Sequence, residues 1–589
     1  MDNQKIENLL NLSLNATPEE REKSPDLSAG YNSAQNLWTL IVKYQKNLDV
    51  LQKYPITYIQ LLGNYAILEV PEELIDEIAS LEEIIYVEKP KNLFYGITEG
   101  RQASCVSAVQ QQTSGTGSLQ LFGRGCIVGI IDSGIDYANP VFRNQDGTTR
   151  ILGIWDQTII GTPPEGYTMG TYYDRSAIQE ALQFTNPVLQ QEIVPSIDFS
   201  GHGTAVASIA AGNFSEDRNL NLGMATQSDI IAVKLGQPSA NSFPRTSELM
   251  QAINFIVEKC ISLNRPLALN LSFGNNYGSH TGTSLLETFI NEAASASQNS
   301  IIIGMGNEGV SGSHTSGKLA ENITDVIELS VSSYEPSLNI QIWKGYYDTM
   351  EVRIVSPQGN SFVIPSFGPA VYRAHLNNTE LLIFYGEPNP YSQYQELYID
   401  FIPTFSYLDA GLWRIELTGK NIVNGEYHLW IPVESSLNGS RFVKSTVYGT
   451  LTIPSTASRA ISVAAYNPLN SSYAAFSGRG YPNESLLSSI LKPDLAAPGV
   501  DITTAVPGGS FTQNSGTSMA APFVTGAAAM MMQWGIIDRN DSFLYGEKLK
   551  AYLLKGARPL PGFSSFPNPE VGWGALCVSD SLPNAKMQL

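Results

Sequence analysis

The stretch Asn514–Pro522, NSGTSMAAP, decides how the rest of the chain is interpreted. Ser518 follows Gly-Thr and precedes a run of small apolar residues, which predicts a tight turn that opens a buried helix. The N-terminus of a helix carries unpaired N–H groups and the positive end of the helix dipole, and both favour developing negative charge. The position therefore suits a nucleophilic serine, which needs a base and an orienting acid from elsewhere in the chain.

Length, charge and cysteine content set the broad class of the protein. The chain has 589 residues, which favours two to four domains, and its net charge of -20 argues against nucleic acid or an anionic membrane as a partner. The 4 cysteines are scattered without a CxxC motif, so we expect neither a disulfide scaffold nor a zinc site, and interpret most of them as core thiols.

The sequence shows no targeting segment. Met1–Glu7 lacks a basic stretch followed by an apolar run, and no transmembrane span is predicted. We therefore expect a protein that is made in the cytoplasm without a secretion signal.

Residues 1–102 predict a small separate α/β unit. The pattern indicates an amphipathic helix, two strands joined by a turn, a second helix and a last strand, at Leu37–Leu51, Ile56–Leu62, Tyr65–Val70, Pro71–Leu81 and Ile84–Val87. Residues 96–118 are polar and are interpreted as a linker or exposed loop.

The part from 103 to 334 alternates buried strands with helices. The strand Cys126–Ile131 is of the buried parallel type and ends at Asp132, where α/β sheets place functional groups. Further strands and helices are predicted in turn at Asp229–Leu235, Ser247–Leu263, Leu267–Phe273, Ser284–Ala296 and Ser300–Gly306. This alternation predicts an α/β fold with a mostly parallel sheet flanked by helices.

The pattern changes in residues 335–448. Short alternating strands such as Ile340–Trp343 and Leu412–Leu417 dominate, and no strong helix pattern is present. We interpret this part as an all-β sandwich or jelly-roll inserted into the α/β domain. The buried-strand pattern resumes in residues 449–589, which include the Ser518 helix.

Four motifs supply candidates for catalytic chemistry. Asp132 stands in Ile-Asp-Ser-Gly, His202 in Ser-Gly-His-Gly-Thr, and Asn307 in Gly-Asn-Glu-Gly after a buried strand. Ser518 needs a neutral imidazole, that imidazole needs a buried carboxylate, and an asparagine amide can donate to an oxyanion beside the N–H of Ser518. Taken alone, the motifs of Asp132, His202 and Asn307 are more typical of a turn or a capping loop, and that of Ser518 is as typical of a packing contact. All four together, in this order, are hard to obtain by chance.

These motifs resemble those of the subtilisin-like serine proteases (peptidase S8). Residues about 104–334 and 449–580 follow that family's layout, including Gly572–Gly574. The resemblance implies a subtilisin-like fold, a catalytic triad, an oxyanion-hole donor, a substrate-pairing edge and a prodomain that assists folding and then inhibits. The residues concerned are Asp132, His202 and Ser518 for the triad, Asn307 for the oxyanion, Ser272, Phe273 and Gly274 for the edge, and 1–102 for the prodomain.

The chain is more closely similar to the Csp germination proteases of clostridial spores. Those proteins share a signal-less N-terminus, a retained prodomain and a jelly-roll between the oxyanion asparagine and the serine, which here are 518 − 307 = 211 positions apart. The resemblance implies packaging in the bacterial spore and limited cleavage of a cortex-lytic enzyme precursor. Some members have lost the triad and act as signalling pseudoproteases, whereas this chain keeps all three residues.

Self-cleavage is expected in the loop after Tyr95, within Gly96–Ser104, and Gln102–Ala103 is our single predicted bond because small residues follow it.

Asp136, Asp156 and Asp198 could bind a structural calcium ion, but no loop has calcium-ligand spacing, so no metal site is assigned and no cofactor is required. The four other histidines have no ligand-spaced partners and are interpreted as structural or surface residues.

Two alternatives to a processing protease stay open. A non-catalytic signalling or scaffold protein would use the prodomain and the jelly-roll for binding, and a general intracellular degradative subtilase would cleave unrelated proteins. We expect a monomer whose partners are a protein substrate and its own prodomain. The substrate's identity and the side-chain preference at the cleaved bond are left undetermined.

Overall fold

Three units make up the fold seen in the computed structural model. It describes residues 5–23, 25–33, 35–91, 94–95, 103–110, 119–213, 223–237, 243–365, 370–482, 485 and 491–583. An N-terminal unit packs against an α/β unit, and an all-β unit, here called the β-unit, is inserted into the latter.

The N-terminal unit is one antiparallel sheet with short helices. Its strands are β1 (Tyr31–Asn32), β2 (Leu37–Tyr44), β3 (Thr57–Leu61), β4 (Tyr65–Pro71) and β5 (Ile84–Glu88). Its helices are α1 (Asn8–Asn15), α2 (Pro18–Lys23), α3 (Pro25–Ser28) and α4 (Ile75–Ser80). The strand order is β1-β2-β4-β3, and β5 pairs with the other edge of β2.

The predicted helix at Leu37–Leu51 is wrong, because most of that segment is strand β2. This strand lies between β4 and β5, and both of its faces are covered. Trp38 and Leu40 pack into the core of the N-terminal unit, whereas Ile41 packs toward the α/β unit. Burial of both faces removes the alternation of apolar and polar residues by which a strand is recognised from sequence.

The α/β unit begins with two short elements and then alternates strands with helices. Its strands before the insertion are β6 (Phe94–Tyr95), β7 (Ile127–Asp132), β8 (Ile151–Asp156), β9 (Thr171–Asp174), β10 (Asp229–Lys234), β11 (Leu267–Leu271), β12 (Phe273–Gly274) and β13 (Asn299–Gly304). Its helices there are α5 (Ser107–Gln110), α6 (Arg175–Ala181), α7 (Pro187–Ile193), α8 (His202–Ala211), α9 (Thr246–Ser262) and α10 (Leu285–Ala293).

The β-unit consists of two antiparallel sheets around one apolar core. Its strands are β14 (His314–Lys318), β15 (Thr324–Val331), β16 (Leu338–Gly345), β17 (Thr349–Val355), β18 (Ser361–Ile364), β19 (Ala370–Leu376), β20 (Thr379–Tyr385), β21 (Tyr394–Pro403), β22 (Gly411–Asn421), β23 (Glu426–Trp430) and β24 (Arg441–Phe442). The sheet orders are β14-β23-β16-β21-β20-β19 and β18-β17-β22-β15-β24. These strands begin at His314, upstream of the predicted start at residue 335.

The chain then returns to the α/β unit. The remaining strands are β25 (Ile461–Tyr466), β26 (Leu495–Pro498), β27 (Ile502–Ala505) and β28 (Phe511–Asn514), and the remaining helices are α11 (Thr517–Met532), α12 (Gly546–Gly556) and α13 (Val578–Ser581). In the described part of the chain the main sheet has the order β26-β25-β13-β11-β7-β10-β8-β9, and its pairs are parallel except β8 with β9.

Helix α11 is the central helix of the α/β unit. Every residue from Thr517 to Met532 is buried. Among the described residues, Thr517–Ile537 is the one segment long and apolar enough to cross a membrane, and 83% of its apolar window is covered by the rest of the fold. It is therefore packed as a core helix.

Residues 103–110 depart from the predicted exposed loop. Gln110 is buried and its Nε2 donates to the carbonyls of Leu121 and Met224, and Val106 and Val109 belong to the core. The cysteine prediction is also wrong in part, because Cys105 and Cys577 form a disulfide across 472 positions. Only Cys126 and Cys260 are the buried thiols that were expected.

Three histidines join the α/β unit to the β-unit. His280 and His314 stack on Trp430, with ring centroids 4.2 and 4.5 Å away, and His314 Nε2 lies 3.0 Å from His428 Nδ1. Burial lowers the pKa of His280 to about 4 and that of His314 well below its usual range. Both rings are therefore neutral parts of a packed interface, which the sequence spacing did not indicate.

A buried cluster of carboxyl groups lies where the three units meet. Lys91 Nζ is 2.8 Å from Glu7 and 2.7 Å from Glu88, and Asn8 Nδ2 donates to Glu396 of the β-unit at 3.1 Å. Burial, reinforced by the charge of Glu7, raises the pKa of Glu396 to about 7, and burial also raises that of Glu7. One lysine therefore faces more carboxyl groups than it can neutralise.

Alkaline pH is predicted to destabilise this junction. Because the pKa of Glu396 in the fold lies above its ordinary value of 4.5, its contribution to stability is complete below that value and is lost as the pH rises through about 7. The loss is at most roughly 3 kcal/mol for one such group. We expect a lower melting temperature at about pH 9 than at about pH 6. Glu396→Gln should flatten this dependence, whereas Glu321→Gln, which removes an exposed carboxylate, should leave it unchanged; equal slopes in all three proteins would contradict the assignment.

The disulfide is predicted to stabilise the α/β unit. Cys577→Ser should lower the free energy of unfolding by about 2–4 kcal/mol, since the link closes a long loop. Thermal unfolding with and without a reducing agent measures this. The parent should lose stability on reduction and the variant should not. Alkylation of both Cys105 and Cys577 in the unreduced protein would contradict the pairing.

Candidate functional site

An aspartate and a histidine meet at the carboxyl end of the main sheet. Asp132 is the last residue of β7 and His202 the first of α8, and Nδ1 of the histidine lies 2.5 Å from Oδ1 of the aspartate. Both side chains are buried. The carboxylate also accepts the N–H of Ser133 at 2.7 Å. Since an ionised carboxylate only accepts, Nδ1 carries the hydrogen and the neutral ring has its lone pair on Nε2.

Asp198 holds this pair in place, a role that the sequence analysis missed. Its Oδ2 accepts the N–H and the hydroxyl of Thr204 at 2.8 and 2.7 Å, which caps the first turn of α8. Its Oδ1 accepts the hydroxyl of Ser133 at 2.8 Å, and that hydroxyl in turn accepts the N–H of Gly203 at 2.9 Å. One carboxylate thus ties the end of β7 to the start of α8.

Gly203 permits the close approach of these two segments. A Cβ at this position would lie 2.0 Å from the carbonyl oxygen of Gly134 and 3.0 Å from Cβ of Asp132. Any side chain there would push α8, and with it His202, away from the end of β7.

Ser518 is held through an unusual feature of α11. Pro522 lies four residues further on and lacks the N–H that would bond the carbonyl of Ser518. The hydroxyl of Ser272 supplies the missing donor at 3.0 Å, and the hydroxyl of Ser518 donates to the carbonyl of Ser272 at 3.1 Å. These reciprocal bonds fix the first turn of α11 against the segment that precedes β12.

Asn307 is oriented by the same helix. Its Oδ1 accepts the N–H and the hydroxyl of Thr517 at 2.9 and 3.1 Å, which fixes the amide so that Nδ2 is the group left to donate. Asn307 and Ser518 both line a cavity of about 140 Å³. Within the described residues the N–H of Ser518 makes no hydrogen bond. Two donors therefore lie beside the same small cavity.

The hydroxyl of Ser518 bonds to Ser272 and not to His202 in this conformation. Rotation about the Cα–Cβ bond exchanges the staggered positions of a serine oxygen, and catalytic hydrogen bonds are often formed only when substrate is bound. Two members of the predicted triad are in contact, and the link to the third stays a prediction.

The predicted substrate edge carries a segment of the chain itself. Phe273 and Gly274 form β12, which pairs antiparallel with β6, Tyr95 opposite Phe273 and Phe94 opposite Gly274. Ser272 precedes β12 and contacts Ser518. Of the predicted cleavage pair, Gln102 lies outside the described residues, and Ala103 starts a turn that leads to Cys105.

Asp136 and Asp156, the other acids considered for calcium, accept hydrogen bonds from nearby backbone and hydroxyl groups. In the described ranges no group of three or more His, Cys, Asp or Glu side chains is placed to hold a metal ion. The prediction that no metal is required stays a prediction.

Comparison with known proteins identifies the class. The subtilase family model matches residues 123–395 and 424–574, and a model described as the Csp protease B prodomain matches residues 4–91. The chain therefore belongs to the subtilase family of serine proteases, and its N-terminal unit is a prodomain of the Csp type.

Individual relatives are consistent with this family. The solved structure of the Clostridium perfringens CspB protease is 34% identical, with a TM-score of 0.74 over 83% of this chain and 98% of that one. Subtilisin-like protease SBT3.5 of Arabidopsis thaliana is 25% identical over 69% of this chain and 55% of its own length. An intracellular serine protease of Paenibacillus polymyxa is 47% identical over 70 residues, 11% of this chain and 20% of that protein.

The curated relatives are matched over part of their length. The first three, subtilisin-like proteases SBT3.16, SBT3.4 and SBT3.6 of Arabidopsis thaliana, are covered over only 8% to 9% of their own sequences. These matches support the family and leave substrates and partners to be proposed.

The orientation of Asn307 leads to a prediction. Asn307→Asp keeps an oxygen for Thr517 but loses the Nδ2 donor, and Asn307→Ala loses both. We expect both variants to lower kcat by about 10²–10³, with little change in KM. Only Asn307→Ala should also lower the melting temperature, because it leaves the N–H of Thr517 without its acceptor. Peptide hydrolysis and thermal unfolding measure the two effects, and full activity of either variant would remove Asn307 from the site.

Proposed function

We propose that the protein is a serine endopeptidase that first cleaves its own prodomain and then activates a protein precursor by limited proteolysis. The observation that carries the proposal is the 2.5 Å contact between His202 and Asp132 at the sheet edge where Ser518 opens α11. An activated serine requires such a buried acid–base pair.

The mechanism follows from the atoms involved. Ser518 Oγ attacks the scissile carbonyl carbon while His202 Nε2 takes its proton, and Asp132 stabilises the imidazolium. The oxyanion accepts hydrogen bonds from Asn307 Nδ2 and from the N–H of Ser518. The C–N bond then breaks, the amine leaves with the proton from His202, and water hydrolyses the acyl-enzyme by the same route in reverse order.

The pairing of β6 with β12 supports self-cleavage. Tyr95 lies opposite Phe273, and the neighbouring Ser272 accepts the Ser518 hydroxyl at its carbonyl, so the last residue of β6 lies beside the segment that holds Ser518. The proposed cleavage therefore lies in the loop that follows, within Gly96–Ser104, with Gln102–Ala103 as the predicted bond. The new N-terminal segment would remain attached through Cys105 and its disulfide to Cys577.

Self-cleavage gives the first test of the proposal. The parent should be isolated as two fragments, and N-terminal sequencing should show a mature chain that starts at Ala103. Ser518→Ala should stay full-length, and the fraction cleaved should not depend on protein concentration because the reaction is intramolecular. A start outside residues 96–106 would contradict the predicted cleavage loop, and a full-length parent would contradict the protease assignment.

The biological role is proposed from the prodomain match and from the similarity to a CspB protease. We infer a role in spore germination, with a cortex-lytic enzyme precursor as substrate and the spore as the site of action. The protein would act as a monomer, and its own prodomain would be an inhibitor of the site.

A degradative role is the second candidate, because the Paenibacillus polymyxa relative is described as an intracellular serine protease. Unfolded casein separates the two roles. A degradative enzyme should digest it fully, whereas a processing enzyme should leave most of it intact under conditions that cleave a chosen peptide.

A further inference from the structure

The cavity beside Ser518 is built partly by the β-unit. It measures about 140 Å³, and one wall is Phe273 and Gly274 of β12. The opposite wall is the segment Val433–Ser435, which follows β23. That segment is anchored to the α/β unit, since Asn276 Nδ2 donates to the carbonyl of Ile431 at 3.0 Å.

The position of the cavity assigns it to the substrate residue before the cleaved bond. β12 pairs with β6, which precedes the proposed cleavage loop, and the same two residues of β12 line the cavity together with Ser518. A side chain that leaves the substrate just before the attacked carbonyl therefore has this cavity beside it.

The lining is acidic. Glu308 and Glu434 are its ionisable residues, and no Lys, Arg or His lines it among the described residues. Glu308 is 6% exposed, and its Oε2 accepts the N–H of Glu434 at 3.2 Å. Burial raises the pKa of Glu308, and the nearby carboxylate of Glu434 adds to this effect. A cation in the cavity would offset both the burial of the Glu308 carboxylate and its repulsion by Glu434, whereas an anion would add to the repulsion.

A second polar group points to a ligand that hydrogen-bonds. Thr452 is 4% exposed, and its hydroxyl oxygen is buried without a hydrogen-bond partner in the described part of the chain. Gly306, at φ 96°, permits this arrangement, because a Cβ there would lie 2.5 Å from Cγ2 and Oγ1 of Thr452. The threonine hydroxyl can accept a hydrogen bond from a donor inside the cavity.

The size of the cavity limits the occupant. An engineered cavity of about 150 Å³ holds benzene, which has six heavy atoms. A lysine side chain has five heavy atoms beyond Cα, with its ammonium at the far end. The volume and the acidic lining of the cavity therefore both fit a lysine side chain.

We propose that the protein selects substrates with a basic residue, lysine above all, immediately before the cleaved bond, and that Glu434 of the β-unit and Glu308 are the selecting residues. The inference rests on the proposed protease function. Cleavage of its own chain after Gln102 is compatible with it, because an intramolecular reaction has a high effective concentration and needs no basic side chain in the cavity.

Quenched peptides that differ only in the residue before the cleaved bond test the proposal on the self-processed protein. The residues compared are Lys, Arg, Gln, Leu and Glu. We expect kcat/KM for Lys to exceed that for Leu and Glu by roughly ten-fold or more, as for a charge-assisted hydrogen bond. Glu434→Gln should reduce the preference by about two- to five-fold, as for an exposed charge, and Glu434→Lys should favour the Glu peptide.

Two controls separate this inference from the proposed function. Glu321→Gln removes an exposed carboxylate elsewhere in the β-unit and should leave the preference unchanged. Labelling of Ser518 by a fluorophosphonate reports the nucleophile without using the cavity. If Ser518 is labelled but all peptides are cleaved at equal rates, or the Leu peptide is preferred, the inference is overturned and the protease function stands. If Ser518 is not labelled and no peptide is cleaved, the protease function is overturned as well.

Discussion

The site depends on a helix carbonyl that has lost its usual partner. Pro522 leaves the carbonyl of Ser518 without a donor inside α11, and Ser272 supplies one from the neighbouring segment. An unsatisfied buried carbonyl would cost about 1–3 kcal/mol, so the helix start and the segment before β12 are held together. The predicted nucleophile and the predicted substrate edge are therefore positioned by the same contact, and Thr517, in the same helix turn, orients Asn307.

The sheet explains how a large insertion leaves this arrangement intact. Strands β13 and β25 are parallel neighbours, with Ile302 opposite Ile461, and the β-unit lies between them in the chain. The main sheet therefore holds the two ends of the insertion close together. The entropic cost of closing a loop grows only slowly with its length, so a long insertion is tolerated. Asp132, His202 and Ser518 can come from distant parts of the sequence because each stands at an element end at one edge of the sheet.

Much of this could be predicted from the sequence, because the motif residues stand where strands end or helices begin. The strand before Asp132 and the helix that starts near Ser518 are predicted at the right places. The predictions that failed needed information that the local sequence pattern does not contain. Strand β2 is covered on both faces, so its sequence lacks the alternation of apolar and polar residues. Cys105 forms a disulfide with Cys577, 472 positions away. Asp198 resembles any surface acid until the fold brings the end of β7 and the start of α8 to its two oxygens.

The proposed catalytic residues and the proposed selectivity residue Glu434 belong to different parts of the chain. The atoms proposed to react belong to the α/β unit, and their geometry is fixed by contacts within that unit. The far wall of the cavity belongs to the β-unit, and it reaches the site through one short segment after β23. A change in Val433–Ser435 can alter the charge of the cavity without moving Ser518, His202 or Asp132. The insertion therefore permits substrate choice to change while the reaction is preserved, since selectivity is a difference between binding free energies and requires no new catalytic group.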